Sequence, residues 1–174
     1  MFLKFALRDL VALAICVLAW RLYAAAPDNL FAAFGLGTFA VLVTMIVTYL
    51  VHEWGHLSGA LFTGSTVYAP QQLFDKFLFH FDGRKNNGRQ FVGMSVGGFV
   101  SSLGMLAALI ALLPLETWPA RITIAMVALG IVGTAYLEVP TAWRVHRGAA
   151  LPSGPVYEPY ASGNSTGATG AAGH

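Results

Sequence analysis

From Leu30 to about Thr63 the chain is almost continuously apolar, and the only charged or imidazole side chains in that stretch are His52, Glu53 and His56. A run of this kind constrains the fold more than any other feature. It must be helical, because only a helix pairs its own backbone groups where no water reaches them. It also exceeds the roughly 20 residues that cross a hydrocarbon core. Leu30 to Gly37 is therefore expected to form a bent or interfacial lead-in, with the spanning part at about Thr38 to Thr63. Three more stretches, Leu10 to Ala26, Phe91 to Leu115 and Ile122 to Trp143, have the length of spans. Only 10% of the residues are charged and 56% are hydrophobic, against about a quarter charged in a soluble domain. The expected fold is an all-α polytopic membrane protein of about four transmembrane helices.

Charge placement predicts the orientation. With four spans, Lys4, Arg8, Lys76, Arg84, Lys85, Arg89, Arg144 and Arg147 fall on one side and only Arg21 and Arg121 on the other. By the positive-inside rule the first side is cytoplasmic, so both termini and the Gly64 to Gln90 loop are expected inside, at a cell (inner) membrane. Lys4 and Arg8 before an apolar run, with Ala24-Ala25-Ala26 after it, also resemble a secretory signal. Pro27 disfavours cleavage there, and Trp20, Arg21 and Tyr23 read as an interfacial anchor, which favours an uncleaved first span. The net charge of +2 and the lack of any basic run longer than Arg84-Lys85 argue against a nucleic-acid partner. Cys16, the single cysteine, reads as a small packing residue.

In the loop, Lys76-Phe77-Leu78-Phe79-His80-Phe81 alternates as a strand does and is followed by Asp82-Gly83 and Asn87-Gly88 turn signals, so a small β-hairpin is expected between the second and third spans. The division of the chain is residues 1–147 as the membrane domain and 148–174 as a disordered cytoplasmic tail rich in Gly, Ala, Ser and Pro.

His52-Glu53-Trp54-Gly55-His56 is an HExxH motif. On a helix, residues four apart share a face, so His52 and His56 can hold one metal ion while Glu53 reaches the water that ion activates. Ionisable groups cost a few kcal/mol inside a bilayer, which makes an idle Glu-plus-two-His cluster a poor structural choice. The leading candidate for a third ligand is Glu138, the acidic residue within the fourth span. It lies roughly 9 Å before Arg144 along a helix, a depth comparable to that of His56 before the end of its own helix. His80, Asp82 and His146 are alternatives. Pro140 could break the helix locally and aim Glu138 inward. Gly97-Gly98, Ser101-Ser102 and Gly104 read as helix-packing positions, and Thr44, Thr48 and Tyr49 as residues packed near the motif.

Together these residues resemble the site-2 protease family of intramembrane zinc metalloproteases, over roughly Thr38 to Trp143. The resemblance rests on the HExxH helix, a following hairpin loop, the small-residue helix start at Gly97-Gly98 and a later helix bearing an acid. It implies zinc held by His52, His56 and a later acid, with Glu53 as general base. The family's later Asn-x-x-Pro and Leu-Asp-Gly pattern reads here as Tyr136-Leu137-Glu138-Val139-Pro140, and its asparagine after the hairpin is replaced by Gly97-Gly98-Phe99-Val100-Ser101. The function implied is hydrolysis of a peptide bond in a membrane-anchored protein or peptide. The Lys76 to Phe81 strand would pair with the substrate, making Phe77, Phe79 and Phe81 its contacts. The alternative is a non-catalytic metal-binding pseudoprotease or membrane adaptor.

Overall fold

The structure, a computed structural model, describes residues 2–26, 30–75, 77–154 and 157. Four helices account for most of it: α1 (Leu3–Ala24), α2 (Leu30–Phe62), α3 (Gly88–Leu112) and α4 (Trp118–His146). Between α2 and α3, β1 (Val67–Tyr68) pairs antiparallel with β2 (His80–Phe81), Val67 opposite Phe81 and Tyr68 opposite His80. The α2 helix packs against each of the other three. Three helices, α2, α3 and α4, are long and apolar enough to cross a membrane.

The α2 helix runs unbroken, so the expected bend at Leu30 to Gly37 is absent; at 1.5 Å per residue it is about 50 Å long. Gly37 fits against Trp118 at the start of α4, where a Cβ would come 2.7 Å from the Trp118 ring. Gly64, at φ 69°, ends α2: its N–H donates to Leu61 and that of Ser65 to Ala60. This is the left-handed C-terminal turn that glycine enters at least cost. At the start of α3 the Asn87 side chain accepts from the Gln90 N–H and the Gln90 side chain accepts from the Asn87 N–H, a reciprocal cap. α4 continues through Pro140 without a break.

Helix α1 begins at Leu3, ahead of the apolar stretch, and its Lys4 and Arg8 donate to the carbonyls of Gln71 and Leu73 in the α2–α3 loop. The Trp20 indole N–H donates inward to the Thr44 hydroxyl at 3.0 Å, which Cys16 also approaches at 3.3 Å. The hairpin is also shorter than expected and differently paired. His80-Phe81 pairs back onto Val67-Tyr68, Asp82-Gly83 turns into the α3 approach, and Lys76 lies outside the described residues.

The main core sits at the loop end of the bundle, where Phe5 of α1, Leu57 of α2, Leu78, Phe79 and Phe81 of the loop, Phe91 of α3 and Val145 of α4 meet. Leu151 and Tyr157 pack onto it. Both belong to the stretch expected as a tail, of which residues 155–156 and 158–174 lie outside the described ones.

Candidate metal centre

Helical spacing puts His52 and His56 one turn apart, with ring centroids 4.3 Å from each other. Their orientation is set from α3. His56 Nδ1 lies 3.0 Å from the Met94 carbonyl oxygen, and His52 Nδ1 lies 2.8 Å from the Ser102 hydroxyl and 3.2 Å from the Gly98 carbonyl oxygen. A carbonyl can only accept, so Nδ1 of each imidazole is placed to donate to α3, and Nε2 of each faces inward as the ligand atom on offer. Such a bond on the far nitrogen is how proteins fix the tautomer of a metal-binding histidine.

The two Nε2 atoms face one another at 2.9 Å. Across from them, α4 brings Glu138, with Oε1 3.6 Å from His52 Nε2 and Oε2 3.6 Å from His56 Nε2. Glu138 Oε2 is buried without a hydrogen-bond partner. Two imidazole nitrogens and a carboxylate therefore converge, and a cation placed among them would satisfy all three. One ligand atom from each lies within 4.8 Å of the others, a set that could hold a divalent ion, and the ligand types suit zinc.

Glu53 points to a neighbouring position. Its Oε2 accepts from the Leu78 N–H at 3.3 Å, which anchors the carboxylate to the loop. Glu53, His56 and Glu138 share one cavity of about 200 Å³, lined also by Phe77, Phe79 and Tyr157. On the other side of His52 a separate cavity of about 170 Å³ is bounded by Thr48, Tyr49, Ser102 and Gly130. The Tyr157 phenol, outside the helices, is pushed up by burial and secondarily by the Glu138 charge, so it stays protonated.

The other candidate ligands sit elsewhere. Asp82, 2% exposed, accepts from the Arg84 N–H at 3.0 Å and from the Tyr68 hydroxyl at 3.3 Å, and so organises the turn after β2. His80 is paired in β2, and His146 lies exposed at the end of α4 beside Trp143. Among the described residues, the group able to take a metal is His52, His56 and Glu138. Of the three phenylalanines expected to meet substrate, Phe77 and Phe79 line the cavity. Phe81 does not: it is fully buried, its ring 6.1 Å from that of Phe91, because pairing with Val67 turns it into the core.

Several contributors lie outside the motif. A Cβ on Gly98 would strike the His56 ring, one on Gly55 would come 2.6 Å from the Gly97 carbonyl, and one on Gly59 would strike the Gly93 carbonyl. The spacings Gly55-x-x-x-Gly59 and Gly93-x-x-x-Gly97 are the small-residue signal for such close approach. Trp54, between Glu53 and Gly55, donates to Asp9 of α1 at 2.8 Å. Thr44 is fully buried against α1 and belongs to packing.

No protein-family model, curated protein or solved structure matches the chain.

Proposed function

We propose that this chain is a zinc-dependent intramembrane metallopeptidase of the site-2 protease type, hydrolysing a peptide bond of a membrane-anchored protein or peptide. The observation that carries the reading is the grouping of His52 Nε2, His56 Nε2 and the Glu138 carboxylate, with Glu138 Oε2 buried and lacking a hydrogen-bond partner, in helices long and apolar enough to cross a membrane. Zinc held by His52, His56 and Glu138 would supply Lewis acidity at the scissile carbonyl. Glu53, held by the Leu78 N–H, is placed to take a proton from an attacking water and to give it to the leaving amine. Phe77 and Phe79 are the substrate contacts in this reading, and the Leu78 backbone between them keeps the base facing the cavity.

The proposed topology has four spans with both ends cytoplasmic at the cell (inner) membrane. Its support is that Lys4 and Arg8 bond the α2–α3 loop, which itself carries Arg84, Lys85 and Arg89. A reporter active only outside the cytoplasm is expected to be silent when fused after Gly148 and active when fused between Leu115 and Trp118.

Metal analysis beside a cleavage assay on a membrane-tethered peptide tests the function. Wild type is expected to hold zinc and cleave, His56→Ala to lose both, and Glu53→Ala to keep zinc while losing cleavage. A wild-type protein that holds no metal overturns the reading. A zinc-loaded wild type that cleaves nothing favours the metal-holding adaptor instead.

A further inference from the structure

After α4 the chain reverses. The Gly148 N–H donates to Val145 and the Ala149 N–H to Arg144, with Gly148 at φ 96°, where a side chain would be strained. Leu151 then packs on the loop-end core. Gly154 has φ 143°, and its carbonyl accepts from the Tyr157 N–H at 2.9 Å. Tyr157 accepts from the Gly83 N–H at 2.9 Å through its own carbonyl, and its ring lies 5.9 Å from that of Phe91. It lines the cavity that holds Glu53, His56 and Glu138. A backbone bond, an aromatic contact and the cavity lining thus converge on Tyr157.

We propose that Tyr157 is the clasp of an autoinhibitory strap, which covers the loop-side mouth of the Glu53 cavity and has to leave before a polypeptide can reach the base. The bond it makes is the one an incoming strand would use. Gly83 follows β2 by two residues, and its N–H is given to the chain's own Tyr157 carbonyl rather than left for another backbone. The aromatic surface of Phe91 is covered by the same residue. The strap builds on the reading of this cavity as the reaction site, but its occlusion can be measured without zinc or cleavage.

The docked position is tested by a disulfide. A Cβ placed on Gly83 is 3.7 Å from the Tyr157 Cβ, inside the roughly 3.5–4.5 Å that a disulfide spans. Full-length protein carrying Cys16→Ser, Gly83→Cys and Tyr157→Cys is expected to cross-link under mild oxidant in membranes, and failure to do so overturns the strap. Occlusion is tested separately with Thr141→Cys, a cavity-lining reporter, in the Cys16→Ser background, labelled by a water-soluble maleimide. Adding Tyr157→Ala is expected to speed labelling about tenfold, on the order of the effect of one buried aromatic contact. Tyr157→Phe, which keeps the ring, is expected to label at the parent rate. Equal rates in all three, or a Phe variant as fast as Ala, overturn the proposal. Faster labelling without faster cleavage leaves the strap standing and counts against the peptidase.

Discussion

The two halves of the candidate centre are held in opposite ways. His52 and His56 stand on a helix pressed against α3 through glycines, and each ring is pinned from behind by an α3 oxygen. Glu138 stands on α4, whose outer face is open: Leu129 is 70%, Leu137 72% and Tyr136 81% exposed, and a Cβ at Gly133 would meet nothing within 4 Å. One side of the centre is thus built into the packing before any ion arrives. The other stands on a helix packed chiefly at its ends, by Trp118 against Gly37 and by Val145 in the main core. Close packing transmits a one-atom change at once, whereas a loose helix absorbs it. Substitutions should therefore fall into two classes.

The largest effect is expected at Gly98. Its missing Cβ is the space in which the His56 ring lies, so Gly98→Val must displace either the ring or the helix. Overpacking of this kind costs about 1–3 kcal/mol, and here it also removes a ligand. Zinc content should fall to background and the melting temperature should drop. Gly104→Ala on the same helix, where a Cβ meets nothing within 4 Å, should do neither. If Gly98→Val binds zinc as wild type does, the α2–α3 contact is looser than described.

Next comes Glu138. Its loss leaves a two-histidine site without the charge and geometry of three ligands, so Glu138→Gln is expected to release zinc without unfolding the helices. Glu138→Asp keeps the charge with a shorter reach. Because α4 is loosely packed, it can shift to compensate, and part of the zinc should remain. A Glu138→Asp protein as empty as Glu138→Gln would mean that α4 is held more firmly than its exposure implies.

The difference between the two halves also marks what could be read in advance. The HExxH spacing and the depth of Glu138 follow from helical periodicity, and the structure does bring those residues within 4.8 Å. The role of Gly98 depends on which face α3 turns to α2, which periodicity alone leaves open. Lys4 and Arg8 read in the sequence only as charges before an apolar run; in the fold they are helical residues that donate to loop carbonyls. Val67-Tyr68 is too short to signal a strand, so the partner of His80-Phe81 was sought on the wrong side. Tyr157 was hidden by the small-residue composition around it, although a single large side chain is enough to dock a segment.

A smaller effect is expected at Ser102, whose hydroxyl sits 2.8 Å from His52 Nδ1. Removing a partner that orients a metal-binding histidine typically costs about 10–100-fold in affinity. The Gly98 carbonyl remains as a second acceptor for the same proton at 3.2 Å, so Ser102→Ala should fall toward the lower end. Competition with a calibrated chelator would measure it, and an affinity equal to wild type would assign the tautomer to Gly98 alone.

The smallest effect belongs to Gly133, and it probes the loose half directly. The residue lies on the exposed face of α4, five positions before Glu138, and a Cβ there meets nothing within 4 Å. Glycine inside a helix costs roughly 0.5–1 kcal/mol relative to alanine, because it has more backbone freedom to lose. Gly133→Ala should therefore leave zinc content unchanged and hold or slightly raise the melting temperature. The sign separates two pictures of α4. A neutral or stabilising result fits a helix whose outer face meets only lipid tails, which yield to a methyl group. Loss of stability or zinc would mean that another protein surface packs closely on that face, since only a close neighbour turns one added carbon into a clash. The looseness ascribed to the Glu138 side would then belong to the single chain and not to the assembly in which it works.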